Sequence, residues 1–293
     1  MGNINGNGLL ERFETHLAAS ALAPATVTNY LADLRAFLRW NDTTNGGGCS
    51  PLCCSVQDIH TYCMYLQQSR SHAAATVNRR LQALRKFYDF AIAQGWAAAN
   101  PADDVPLLGD VSPQRPQCRN SSDVERVLAV MHGCGCDWPP RDRAIIQSML
   151  GAGLKLGELI QLRTADVHLD AQPPYLSIGG QNGNGEGRVI PLDLEVHEAL
   201  LAYRPVRQVP RDVDCFFVSQ DGRPLSTRSI QRLLHTCAQA SGLDGLTAQD
   251  LRYIYARSAM NKYGDVKQVA RLLGHRHLAT TVRYLRPDSD DVE

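Results

Sequence analysis

Lysine is scarce in this chain of 293 residues: Lys86, Lys155, Lys262 and Lys267 stand against 26 arginines. A surplus of charge is lacking too, since 30 acids balance 30 bases. That balance argues weakly against loose, purely electrostatic binding of nucleic acid. No apolar run approaches the ~18 residues of a membrane span, so no membrane partner is expected. The nine cysteines contain no Cys-x-x-Cys pair and no zinc-ligand spacing. Cys134 and Cys136, with His132 nearby, form the closest approach to a metal pattern. An odd set of this kind reads instead as free thiols in a reduced, cytoplasmic protein. Residues Met1 to Gly8 lack the basic and apolar pattern of a signal peptide. Gly6 occupies the position where a myristoylation signal needs Ser or Thr.

What is present is enough hydrophobic sequence, 44%, for two domains with cores of their own. Residues 9–99 read as helical. In Thr26–Trp40 the apolar positions Val27, Tyr30, Leu31, Leu34, Phe37 and Leu38 form one stripe of period 3.6. Val56–Gln68 reads as a second helix. In Thr76–Gln94 the stripe is Val77, Leu81, Leu84, Phe87, Tyr88 and Ala91, with Gly95 as C-cap. Arg79, Arg80, Arg85 and Lys86 lie off that stripe. Asn45–Pro51 is a Gly-rich loop.

Four prolines between Asn100 and Asn120 (Pro101, Pro106, Pro113 and Pro116) exclude a helix there and predict an extended hinge. The domain expectation is a helical unit over 1–104, a linker over 105–120 and a mixed unit over 121–293. Ser121–Met131 opens on an N-cap signal, with capping-box spacing from Ser122 to Glu125. Helices are expected at Arg141–Gly151, from Leu156 to Arg163, and at Leu194–Tyr203, Thr227–Ala240, Ala248–Tyr263, Val266–Leu273 and Thr280–Leu285. Tyr175–Ile178 and Arg188–Leu192 flank a Gly/Asn-rich turn and read as paired strands. Phe216–Val218, followed by Asp221-Gly222, predicts another short strand and turn. The fold class is therefore mainly α with a small antiparallel sheet. The acidic tail, Asp288–Glu293, is expected to be disordered.

Some polar groups fall where periodicity gives no reason for them: Lys155 with Glu158, Gln249 with Arg252, His275 in Leu-Leu-Gly-His, and Tyr284. Gln249 and Arg252 are i, i+3 on one helix face and can address one object together. Gly274 can end a helix and set His275 at the mouth of a cleft.

Leu246–Ala256 (LTAQDLRYIYA), Leu272–His275 (LLGH) and Thr280–Tyr284 (TTVRY) resemble the C-terminal motifs of the phage-integrase family of tyrosine recombinases. The segment GAGLKLGELIQLRTAD, ending at Asp166, is similar to that family's first motif. Residues 20–104 resemble its N-terminal core-binding domain. The resemblance covers nearly the whole chain in the family's order. It implies a helical core-binding domain, a mixed α/β catalytic domain, and a C-shaped clamp on double-stranded DNA. It also implies a chemistry: a tyrosine hydroxyl attacks a phosphodiester, forming a 3′-phosphotyrosyl link and releasing a 5′-hydroxyl. No metal or nucleotide cofactor is needed. Two arginines bracket the non-bridging oxygens, a hairpin lysine protonates the leaving oxygen, and histidines handle protons.

By this resemblance Tyr284 stands at the nucleophile, Arg252 at the second arginine and His275 at the His/Trp position. Glu158 matches the acid that supports the first arginine. The departures are three. Lys155 replaces the first arginine, Gln249 replaces the first histidine, and the hairpin turn before Arg188-Val-Ile-Pro-Leu192 holds no lysine. Arg79, Arg80, Arg85 and Lys86 are expected to face the duplex, as is Arg188; a solvated helix face is the plainer alternative for the first four. Losing a transition-state donor costs about 2.7–4 kcal/mol, and losing a general acid roughly 10²–10⁴ in rate. Two readings follow. One is an integrase or recombinase of a mobile element, weak alone or dependent on a partner. The other is a cleavage-deficient accessory or regulatory DNA binder. Either implies duplex DNA and a second recombinase or further copies of the chain as partners. Only nine residues follow Tyr284, so strong C-terminal exchange between protomers is not expected and the free protein is expected to be monomeric.

Overall fold

The computed structural model describes residues 6–20, 22, 24–44, 50–109, 121–131, 138–179, 187–208, 213–243 and 245–285. The hairpin turn at 180–186, the acidic tail, and Cys49, Cys118, Cys134 and Cys136 lie outside them. Among the described residues Cys53, Cys54, Cys63, Cys215 and Cys237 are thiols, not joined in disulfides. No described helix is long and apolar enough to cross a membrane. The chain divides into two compact units, residues 1–114 and 115–293.

The first unit holds α1 (Gly6–Ala18), α2 (Pro24–Thr44), a 3₁₀ turn at Pro51–Cys53, α3 (Val56–Gln68) and α4 (Ala74–Ala93). α1 starts ahead of the apolar pattern, yet buries Leu9, Phe13 and Leu17 at i, i+4, i+8. α3 begins where Ser55 caps the Asp58 amide at 3.3 Å and the Asp58 carboxylate accepts the Ser55 N–H at 2.8 Å. The whole expected stripe of α4, from Val77 to Ala91, is buried. Gly95, with φ +71°, stops the helix in a left-handed turn.

The first ten residues of the proline-rich segment are not a free hinge. Asn100 donates to the Arg85 carbonyl at 3.1 Å and to Asp89 at 2.8 Å. Asn78 donates to the Leu108 carbonyl at 3.1 Å and accepts its N–H at 2.8 Å. Ala102 and Val105 are buried in the first unit's core. Proline prevents a helix here, but the chain turns rather than running extended, with Asp103 N–H donating to the Asn100 carbonyl at 3.3 Å, and side-chain amides and buried apolar groups dock it on α4.

The second unit contains α5 (Ser121–Met131), α6 (Pro140–Ala152), α7 (Leu156–Gln161), α8 (Leu194–Tyr203), α9 (Thr227–Ala240), α10 (Ala248–Tyr263), α11 (Val266–Leu273) and α12 (Leu278–Leu285). Three short strands, β1 (Val167–His168), β2 (Tyr175–Ile178) and β3 (Arg188–Pro191), pair antiparallel in that order. The mainly α fold with a small antiparallel sheet is thus the observed one. Three local expectations are corrected. α5 already includes Ser121, so Ser122 lies inside its first turn. α7 stops at Gln161, because Leu162 and Arg163 turn extended; Phe216 N–H donates to the Leu162 carbonyl at 2.7 Å. Phe216–Val218 is not a strand. It is a buried aromatic corner held by isolated bridges, Arg163 to Cys215 and Val218 to Pro224. β1 has only two residues, too few to show an alternating pattern.

The unit's core is built on α6. Ile146 and Met149 are buried with Val196 and Leu200 of α8 and Leu251 of α10. Gly151 permits the α6–α8 contact, because a Cβ there would overlap the Val196 side chain.

Candidate active site

Five turns and helix ends converge near the C-terminus of α11. The first turn of α10 is fixed by a capping box: Thr247 donates its N–H to Asp250 at 2.7 Å, and Asp250 donates its N–H to Thr247 Oγ1 at 3.2 Å. That turn carries Gln249 outward and Arg252 inward; Arg252 is 3% exposed. α11 ends on Gly274 at φ +64°, and His275 follows at once. α12 brings Tyr284 back over this corner.

Three successive carbonyls at the end of α11 each receive a different cation. Arg188 Nε donates to the Leu272 carbonyl at 2.7 Å, Arg252 Nη2 to the Leu273 carbonyl at 2.7 Å, and Lys155 Nζ to the Gly274 carbonyl at 3.3 Å. A helix C-terminus leaves its last carbonyls unpaired and carries the negative end of the dipole, so it is a natural seat for cations. Arg252 also donates to the buried Gly153 carbonyl, at the left-handed end of α6 (φ +58°).

Glu158 is the anion of the cluster. It accepts the Lys155 backbone N–H at 2.8 Å. Both its oxygens take the fork of Arg188, at 2.9 and 2.7 Å. Its contact with the Lys155 ammonium is longer, 3.6 Å. Burial alone would raise the Glu158 carboxyl. The Arg188 hydrogen bonds and charge, with Lys155, outweigh burial and hold it below the usual carboxylate range. Lys155 is drawn below the usual lysine range by burial first and by the nearby Arg252 and Arg188 charges, against the pull of Glu158.

His275 is placed in a defined tautomer. Arg252 Nη2 lies 3.1 Å from its Nε2, and a guanidinium can only donate, so Nε2 accepts. The proton therefore sits on Nδ1, 2.9 Å from Thr281 Oγ1. Burial, then the charges of Arg252, Lys155 and Arg188, push His275 down to about 4. It is neutral at pH 7.

Tyr284 packs between two rings: stacked on Tyr253 with centroids 5.5 Å apart, and edge-on to His275 at 5.1 Å. Its hydroxyl accepts a hydrogen bond from the Gln249 amide. The structure thus gathers Lys155, Glu158, Gln249, Arg252, His275 and Tyr284 in one place, and adds Arg188. Four groups around them were missed by sequence reasoning: Thr281, Tyr253 and the carbonyls of Gly153 and Gly274. The Thr-Thr pair before Tyr284 was the available signal for the first. The carbonyls have none, because every residue carries one.

The other basic residues singled out in the sequence, Arg79, Arg80, Arg85 and Lys86, lie in the first unit. Arg79 forms a fork with the buried Asp33 carboxylate, and Arg80 Nε lies 3.6 Å from it. Arg85 donates to the carbonyls of Ala102 and Val105 at 3.0 and 2.8 Å. Lys86 is exposed.

A helical first unit and a second unit with a tyrosine, an arginine and a histidine converging on one corner define the tyrosine recombinase class of DNA strand-exchange proteins. The profile of the phage integrase family matches residues 120–290, and that of the phage integrase N-terminal SAM-like domain matches residues 10–95. The chain belongs to the phage integrase family. It is 31% identical to tyrosine recombinase XerC of Alcanivorax borkumensis, over 94% of this chain and 88% of that protein. It is 27% identical to tyrosine recombinase XerA of Thermococcus kodakarensis, over 96% and 91%. Among solved structures, a lambda integrase fragment bound to DNA matches at TM-score 0.73 and 20% identity, covering 98% of this chain and 99% of that one. A lambda integrase tetramer on a Holliday junction matches at TM-score 0.72 and 20% identity, over 98% and 80%.

Proposed function

We propose that the chain performs site-specific recombination or integration by cutting and rejoining duplex DNA through a 3′-phosphotyrosyl link, slowly alone or with a partner recombinase on a mobile element. The observation that carries this reading is the placement of Tyr284 edge-on to His275 while His275 is bonded to Arg252. A phosphate seated there meets the nucleophile and a buried, always-charged guanidinium together. Tyr284 Oη attacks phosphorus. Arg252 and Lys155 neutralise the growing charge, Gln249 orients the tyrosine oxygen, and neutral His275 holds Arg252 in place. Gln249 donates to that oxygen and cannot remove its proton, which supports slow rather than full activity.

In this proposal each unit contacts duplex DNA through phosphates. Exposed Lys86 supplies charge in the first unit, and half-exposed Arg79 offers only the face that its fork with Asp33 leaves uncovered. Arg80 and Arg85 are engaged within the first unit and Arg188 within the second. Lambda integrase has been solved as DNA-bound dimers and tetramers. The same mode is proposed here for further copies of this chain or a second recombinase.

The replacements at Lys155, Gln249 and the hairpin favour a second reading, an accessory DNA binder without cleavage. Nicked suicide duplexes decide between the two. A covalent protein–DNA adduct that disappears in Tyr284→Phe, with DNA binding retained, supports the recombinase. Binding without adduct supports the accessory role.

A further inference from the structure

We propose that Lys155 is the general acid of the cleavage step, handing a proton from its ammonium to the departing 5′-oxygen. This rests on the recombinase reading above and assigns the proton donor of that site. An alkoxide is a poor leaving group, so some group must protonate it. The candidates in the corner can be taken one at a time. Arg252 is buried, holds the carbonyls of Gly153 and Leu273, and does not titrate in the neutral range. Arg188 is closed on Glu158 and Leu272. His275 has its Nε2 occupied as an acceptor and its single proton turned to Thr281. Gln249 is an amide. The hairpin turn has no lysine, and the sequence holds none between Lys155 and Lys262. Lys262 is paired with Asp193, at another corner.

Lys155 differs from all of these. Its side chain is 48% exposed, so it opens toward the space a substrate would enter. Its ammonium has three N–H donors. The Gly274 carbonyl takes one at 3.3 Å and Glu158 stands off at 3.6 Å, which leaves one without a partner among the described residues. Glu158 does not lock the lysine: it stands 3.6 Å from the ammonium, while Arg188 takes the short contacts to its two oxygens at 2.9 and 2.7 Å. The groups facing Lys155 are Glu158, Arg188, Arg252 and His275. Their balance, with burial, eases proton loss from the ammonium relative to a surface lysine. Arginine at this position would keep the charge but could not give the proton.

The step balances. The Tyr284 Oη–P bond forms as the P–O5′ bond breaks. The 5′-oxygen takes a proton from Lys155 Nζ and leaves as a hydroxyl, while the tyrosine proton passes to solvent water. The neutral amine then removes the proton of an incoming 5′-hydroxyl in the reverse, joining step, and is recharged.

The test uses the full chain and a nicked duplex selected for binding from a pool of random sequence. The linkages across its core are made in turn as ordinary phosphodiester or as 5′-bridging phosphorothiolate, whose thiolate leaves without protonation. On the ordinary linkage, Lys155→Arg and Lys155→Met are expected to lower adduct formation by about 10²–10⁴, with binding retained by mobility shift. On the sulfur linkage both variants should recover to within about tenfold of the wild type. Equal deficits on both linkages overturn the proposal and leave the recombinase reading standing, with Lys155 as a phosphate clamp. A Lys155→Arg protein faster than wild type on the ordinary linkage also overturns it. No adduct from the wild type on either linkage removes the recombinase reading itself, and this inference with it.

Discussion

Arg188 and Glu158, thirty residues apart, form a closed fork: two nitrogens on two oxygens at 2.9 and 2.7 Å, with both side chains largely buried. The pair ties β3 to the start of α7 and, through the Arg188–Leu272 bond, to the end of α11. The acid that by resemblance would support a first arginine is therefore committed to a strand residue, and Lys155 is held loosely.

Removing one partner of this fork strands the other. Glu158→Gln is expected to destabilise the protein by ~1–3 kcal/mol, because Arg188 loses its charged acceptor. Urea unfolding of Glu158→Gln, Arg188→Met and the double variant should show coupling above about 1 kcal/mol. Additive effects would mean the fork contributes little.

Gly274 tolerates no side chain. Its φ is +64°, and a Cβ would lie 2.6 Å from Arg188 Nη1. Gly274→Ala should cost ~1–3 kcal/mol and should lower adduct formation more than binding, since it displaces the cations around it. Thermal unfolding together with adduct yield checks both parts.

His275 gives stability a pH dependence of known sign. Its folded value, about 4, lies below its ordinary value of ~6.5. Between these the unfolded chain binds more protons. Stability from this group is therefore present above about pH 6.5 and is lost as pH falls toward 4. With solvent screening the effect is ~1–2 kcal/mol. Urea unfolding at pH 7 and pH 4.5 should show a larger loss for wild type than for His275→Gln. Glu158, held low by Arg188, adds a loss at still lower pH.

Restoring the family's residues should restore rate. Lys155→Arg alone is expected to slow cleavage. Combined with Gln249→His and a hairpin lysine (Asn182→Lys or Gly183→Lys), it should raise adduct formation above wild type. If the triple variant binds DNA and still forms no adduct, the accessory reading prevails.

Affinity for duplex DNA should fall steeply with salt. Lys86→Ala should reduce the slope of log K against log salt by about 1, without changing sequence preference. A flat salt dependence would contradict a phosphate clamp.

Much of this architecture was legible in the chain. The stripe on α4 and the limits of α3, α8, α9, α10 and α11 follow from periodicity and end signals that act within one turn. The groups gathered at the candidate site, Lys155, Glu158, Gln249, Arg252, His275 and Tyr284, were singled out because each stands where periodicity gives no reason for a polar residue, and because their order matches a family. What escaped was set by distance along the chain. Arg188 read as a DNA contact because nothing near it announces Glu158. Arg85 read as a solvated or DNA-facing base, although its guanidinium closes on backbone carbonyls of the segment after α4. Phe216–Val218 has the composition of a strand, but buried aromatic packing fixed its conformation instead of a ladder.

The three cations seated on the Leu272, Leu273 and Gly274 carbonyls face one anion, Glu158, so positive charge is left in excess around a short helix end. That last turn of α11 works against its neighbours' surplus charge until a second anion arrives. An occupied phosphate should therefore tighten the turn that positions it, and amide exchange at residues 270–275 should slow on DNA binding more than in the core of α6. Substrate would then complete the secondary structure of its own receptor, and a bare site would breathe most where the charge is densest.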